Sequence, residues 1–161
     1  KRTVYARYDD KAALFLAAVK RGIEKLILSP ETIAATRDQG LEQTLFNIAR
    51  LRINLVSTEQ GLRLQRIINT EAYRFPQIFT QYYELAVRPT VTFLAEIFEQ
   101  ETKAGRLAID DPMVAANTFM SMTVSGPVRY LTSGHALGPE TLEARMAFSI
   151  TLFLNGARPR G

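Results

Sequence analysis

Residues 10–30 read DKAALFLAAVKRGIEKLILSP, and the spacing of their apolar side chains decides the fold class. Phe15, Ala18, Val19, Gly22, Ile23 and Leu26 recur at i, i+3, i+4, i+7, i+8 and i+11, with Lys20, Arg21, Glu24 and Lys25 opposite them. A 3.6-residue period gathers the first set onto one face, so the stretch predicts an amphipathic helix from Asp10, its cap, to Leu28. Ser29-Pro30-Glu31 stops that helix and starts a short second one, because Ser caps well and Pro suits a first helical turn.

The same period runs on through the chain. After a break at Gly40, Leu45, Ile48 and Leu55 form one stripe and Phe46, Ala49 and Ile53 another, predicting a helix from Leu41 to Val56 with two packed faces. Ser57-Thr58-Glu59-Gln60 has the Ser-x-x-Gln form of a capping box and opens a helix through Leu64, Ile67, Ile68 and Ala72 that must end by Phe75, before Pro76. The longest helix is expected from Pro76 to Lys103, kinked at Pro89, whose missing N–H cannot serve the Leu85 carbonyl. Gly105 suits its C-terminal cap. Asp111-Pro112 starts a helix to about Ser125, bent or broken by Gly126-Pro127, and Pro139-Glu140 starts the last, through Leu142, Met146, Ile150 and Phe153. Gly156 to Gly161 reads as a disordered end. No segment alternates as a strand does, so the expected fold is all-α.

Composition sets the outer limits. The 161 residues hold 47% hydrophobic and 22% charged side chains, suited to one domain with a real core. The longest apolar run, Met146 to Leu154, contains Ser149 and Thr151 and falls short of the roughly 18 to 20 residues of a membrane span. With no cysteine, disulfides, thiolate nucleophiles and Cys-ligated metals are excluded, and a cytoplasmic setting fits. The net charge of +4 lies at the ends: residues 12–155 hold fourteen basic and fourteen acidic side chains. The chain opens without Met on Lys1-Arg2-Thr3 and reads as a fragment.

Residues 1–11 carry half of that excess, and the cations and hydroxyls of Lys1-Arg2-Thr3-Val4-Tyr5-Ala6-Arg7-Tyr8 suit phosphate contacts. Charge patterning alone would make it a solvated end. The order Thr3-Val4-Tyr5-x-x-Tyr8-x-Asp10-Lys11-x-x-Leu14-Phe15, however, resembles the end of the helix-turn-helix in the TetR family of transcriptional regulators. Arg66-Ile67-Ile68-x-x-Glu71-Ala72-x-Arg74-Phe75-Pro76, then Ala104-Gly105-Arg106-Leu107, Asp110-Asp111-Pro112 and Ala115-Ala116, resemble the C-terminal domain of an AefR-like branch. Ala12 departs from the family's usual Glu, and Asp9 from a common Pro.

The resemblance implies a TetR-like helical bundle. Residues 1–11 would end a DNA-binding domain whose first helices are missing, 12–157 would bind ligand and dimerise, and 158–161 would be a tail. It implies DNA contacts from Lys1, Arg2, Thr3, Tyr5, Arg7 and Lys11 to a double-stranded operator, with Tyr8 packing internally. It also implies a pocket for an unknown, largely apolar effector, for which the candidates are Phe46, Arg50, Phe79, Tyr82, Tyr83, Phe93, Phe119 and Met120. Tyr73 and Met122 belong to the same aromatic and methionine set.

Arg50 and Arg52 fall on or beside apolar faces, and each needs either an acidic partner such as Glu71, the expected of the two, or an anionic ligand. The last helices look apolar on more than one face and call for a homodimer mate, with Met122, Phe148 and Leu152 as interface candidates. Catalysis finds little support: His135 is the single histidine, Glu99/Glu101 and Glu140/Glu143 read as solvated helix charges, and no glycine-rich phosphate loop, metal site or cofactor is expected. The function read here is a homodimeric, ligand-relieved repressor; a helical ligand-binding or scaffolding domain without DNA binding is the alternative.

Overall fold

Nine α-helices and two π-helical segments, with no β-strand, make up the described residues of the computed structural model, which are 11–38 and 40–159. The expected contacts of Lys1, Arg2, Thr3, Tyr5 and Arg7, and the cap at Asp10, lie outside them. Helix α1 (Lys11–Glu24) buries Val19 and Ile23. It ends before Leu28 because Lys25, Leu26 and Ile27 tighten into three-residue turns, such as Leu26 N–H to the Ile23 carbonyl at 2.8 Å. Leu26 stays buried, whereas Ala18 is exposed.

Ser29 caps α2 (Pro30–Ala34) by accepting from Thr32 N–H at 3.2 Å. Helix α3 (Leu41–Val56) has the predicted bounds. Helix α4 (Glu59–Glu71) corrects the expected cap: Thr58, not Ser57, is extended and accepts from Gly61 N–H. Ser57 is still helical, its N–H on the Ile53 carbonyl, so its hydroxyl cannot turn to the next helix.

The long helix has three parts: α5 (Pro76–Tyr82), a π segment (Tyr83–Val87) and α6 (Arg88–Lys103). The π turn is how the chain accommodates Pro89. Arg88 N–H reaches back five residues to the Tyr83 carbonyl, and Pro89 then falls in the first turn of a restarted helix. The device recurs between α7 (Pro112–Met120) and α8 (Gly126–Thr132). There a second π segment (Ser121–Ser125) ends with Gly126 N–H on the Ser121 carbonyl, and Pro127 follows.

Gly105, at φ +73, closes α6: Arg106 N–H bonds the Glu101 carbonyl and Gly105 N–H the Thr102 carbonyl. Asp111 caps α7 through Met113 and Val114 N–H. Helix α9 (Pro139–Ala157) runs past Gly156, correcting the expectation of a disordered end from that residue. Ala157 is buried and its carbonyl accepts from Ala108 N–H at 2.7 Å.

Two apolar clusters organise these helices. The larger joins α3, α6, α7, α8 and α9 through Leu45, Ile53, Leu94, Phe98, Phe119 and Ile150. The smaller packs α1 onto α4, α5 and the first π segment through Val19, Ile23, Leu26, Leu64, Ile68, Ile78 and Ala86.

Candidate ligand-binding site

A cavity of about 390 Å³ opens between α3, α4, the α5–π junction and the α7–π–α8 run. Both π segments border it, giving Tyr83 and Val87 on one side and Ser121, Val124 and Ser125 on the other. Val56, Ile68, Met120 and Val128 form apolar wall, and exposed Phe79, Asn69 and Arg129 stand towards the solvent side. Tyr83 is oriented by donating its hydroxyl to Asn117 Oδ1 at 3.0 Å, which ties the first π segment to α7.

Of the eight pocket candidates, Phe79, Tyr82, Tyr83 and Met120 border this cavity, and the other four do not. Phe119 is fully buried in the main core, ringed by Phe98 and Phe153 with centroids at 6.2 and 5.4 Å. Phe46 packs on the same core and carries the Arg50 guanidinium over its ring, and Phe93 carries that of Arg37. Arg50 is surface-exposed and pairs with Glu143 rather than Glu71, tying α3 to α9. Tyr73, 99% exposed, points to solvent.

Arg52 is the residue that the paired question about Arg50 and Arg52 resolves least conventionally. It is 1% exposed, yet no carboxylate among the described residues pairs with it. Its Nη1 donates to the Leu26 carbonyl at a long 3.4 Å, and its Nε has no partner. Burial lowers its pKa, which its interaction with the nearby Tyr82 hydroxyl partly offsets. An arginine remains charged even so, so the helix holds a desolvated cation at the cavity wall.

Gln65, Asn69, Asn117, Ser121 and Ser125 also border the cavity and were not anticipated. Gln65 carries a legible signal: it falls four residues after buried Gly61 and three before buried Ile68, on the apolar register of α4. Asn117 lies three residues before Met120 on α7 and shares its face, whereas Ser121 and Ser125 belong to the π turn, which takes them off the α-helical register.

Elsewhere, Lys11 is exposed at the start of α1. Met122 is half-buried, while Phe148 and Leu152 are 70% and 52% exposed on the outer face of α9. His135 is exposed and stacks on Tyr130 at 4.4 Å between centroids, and no cluster of metal-ligating side chains occurs among the described residues.

A model of the AefR-like transcriptional repressor C-terminal domain, a TetR family, matches residues 43–155. No curated protein matches the chain in sequence. Among solved structures, a TetR-family transcriptional regulator from Mesorhizobium loti MAFF303099 superposes with a TM-score of 0.76 at 24% identity, over 98% of this chain and 80% of that one. The flavonoid-responsive regulator FrrA superposes with a TM-score of 0.71 at 29% identity, over 99% of this chain and 81% of that one.

Proposed function

The chain belongs to the TetR family of transcriptional regulators, in its AefR-like branch, and on that premise we propose that it is a homodimeric repressor released from its operator by a small molecule in the Tyr83–Val124 cavity. The observation that carries this reading is shared packing. Ile68 and Tyr82 border the cavity and also pack in the cluster that holds α1, so a ligand cannot move them without pressing on that helix.

Helix α1 is then the lever. Its start, at Lys11, adjoins the segment whose Lys1, Arg2, Thr3, Tyr5 and Arg7 would contact DNA, with Lys11 adding its charge to the phosphate backbone. Two such reading ends must sit about 34 Å apart to meet successive major grooves. An effector that favours a body conformation with another separation weakens binding by no more than its own preference between the two states. The similarity to a flavonoid-responsive regulator makes aromatic small molecules the class to screen first. The face of α9 that bears Phe148 and Leu152 would meet its two-fold mate, with Met122 beside it. Such a role belongs in the cytoplasm, and no helix among the described residues is long and apolar enough to cross a membrane.

Gel shift of the intact protein on its own upstream DNA, at two salt concentrations, tests the reading. A specific complex that weakens steeply with salt is expected. Failure to form one would leave the ligand-binding body without its DNA role and favour the scaffolding alternative.

A further inference from the structure

We propose that the effector is an organic acid with an apolar body, its carboxylate held by Arg52 Nε and Gln65 Nε2 at the inner wall of the cavity, and that this grip acts on α1 through the Leu26 carbonyl. The proposal rests on the cavity being the effector site and adds which chemistry fills it.

Buried donors without partners carry the argument. Arg52 Nε and Gln65 Nε2 are both inaccessible to solvent, both lack a hydrogen-bond partner among the described residues, and both belong to residues bordering this one cavity. The residues themselves are 1% and 7% exposed. The other three buried polar atoms without partners, in Ser57, Thr90 and Thr102, are hydroxyls away from it. Two orphaned N–H donors ask for an acceptor, and a guanidinium asks for a negative one.

Charge points the same way. The cavity is bordered by two arginines, Arg52 and Arg129, and by no Asp or Glu. Everything else on its inner wall is apolar or neutral. A carboxylate supplies two acceptor oxygens to the two donors and neutralises the buried cation, while Val56, Met120 and Val124 receive the hydrocarbon part.

The same guanidinium touches the lever. Arg52 Nη1 is the group that bonds the Leu26 carbonyl, at the turn that ends α1. A ligand drawing Arg52 towards Gln65 changes a bond already at 3.4 Å, and Leu26 is packed with Val19 and Ile23 of α1. Coupling thus needs no long pathway, because one side chain bridges the two.

Calorimetry with 2-naphthoate and its neutral isostere 2-naphthamide tests the assignment in the intact protein, without DNA. The naphthoate should bind about tenfold or more tighter, the ratio one charge-assisted hydrogen bond supports. In Arg52→Met the ratio should fall to about one, and in Gln65→Leu, which keeps the cation, by several-fold. A ratio near one in the wild type, a ratio unchanged in both variants, or binding of neither compound up to about 1 mM would each overturn the proposal. Operator binding without ligand, measured separately in the wild type, is expected. Its absence in the wild type would instead count against the repressor reading while leaving the acid preference intact.

Discussion

Gly61 lets α4 start hard against the end of α3. A Cβ there would stand 2.3 Å from the Val56 carbonyl oxygen and 3.0 Å from Thr58 Oγ1, the atom that caps the helix. Intrinsic propensity favours Ala over Gly inside a helix by about 1 kcal/mol, so the clash and the propensity pull in opposite directions. The clash wins because the opposing atom is backbone and cannot rotate away. Gly61→Ala should therefore destabilise the protein by about 1–3 kcal/mol in urea unfolding. Gly156→Ala, in α9 with open space around it, should stabilise by up to about 1 kcal/mol. If both changes stabilised, the close approach of α3 and α4 would be refuted. The same scale explains what was legible in the site. Tyr82, Tyr83 and Met120 are readable as one aromatic and methionine set, but Phe119 and Phe93 satisfy the same pattern and lie elsewhere, because helical spacing does not tell a core wall from a cavity wall. Arg52 was visible as a cation on an apolar stripe; that it has no carboxylate partner depends on what α1 and α4 bring near it.

At the scale of elements, helix positions followed from periodicity, while the joints between helices did not. A capping residue displaced by one, from Ser57 to Thr58, depends on whether α3 has finished turning, which the local sequence leaves open. Pro89 announced a kink, but a kink and a π turn answer the same missing N–H. The π turn removes the penalty differently: the five-residue bond from Arg88 to Tyr83 lets Pro89 occupy a first-turn position where no N–H is needed. An unrelieved proline inside a helix costs about 3 kcal/mol or more. Pro89→Ala should therefore gain less than about 1 kcal/mol here, since the packed helices on both sides keep the extra residue in the bulge. A gain near the full penalty, measured by urea unfolding, would mean that the π turn leaves the strain in place.

At the scale of the whole molecule, the open question is what covers the apolar residues that one subunit leaves in water. Val114 on α7, Tyr130 on α8, and Phe148 and Leu152 on α9 are all exposed, and a surface groove bordered by Met122, Tyr130 and Phe148 runs between α8 and α9. The inner face of α9 is already committed to the core through Met146, Ile150 and Leu154, so among the described residues its outer apolar side chains Phe148 and Leu152 stay outside the core. A two-fold mate would bury each of them twice, and each buried Phe contributes about 1.5–3 kcal/mol. Phe148→Glu should thus cost the dimer about 3–6 kcal/mol and shift it to monomer in sedimentation at micromolar concentration. Because Phe148 is mostly exposed and belongs to neither apolar cluster of its own subunit, far-UV circular dichroism should not change. Operator affinity should fall with the dimer, since a single subunit forms half the phosphate contacts and its salt dependence should drop accordingly. A variant that stays dimeric would place the interface on another face, and one that becomes monomeric yet keeps full, equally salt-dependent operator binding would separate DNA reading from dimerisation altogether.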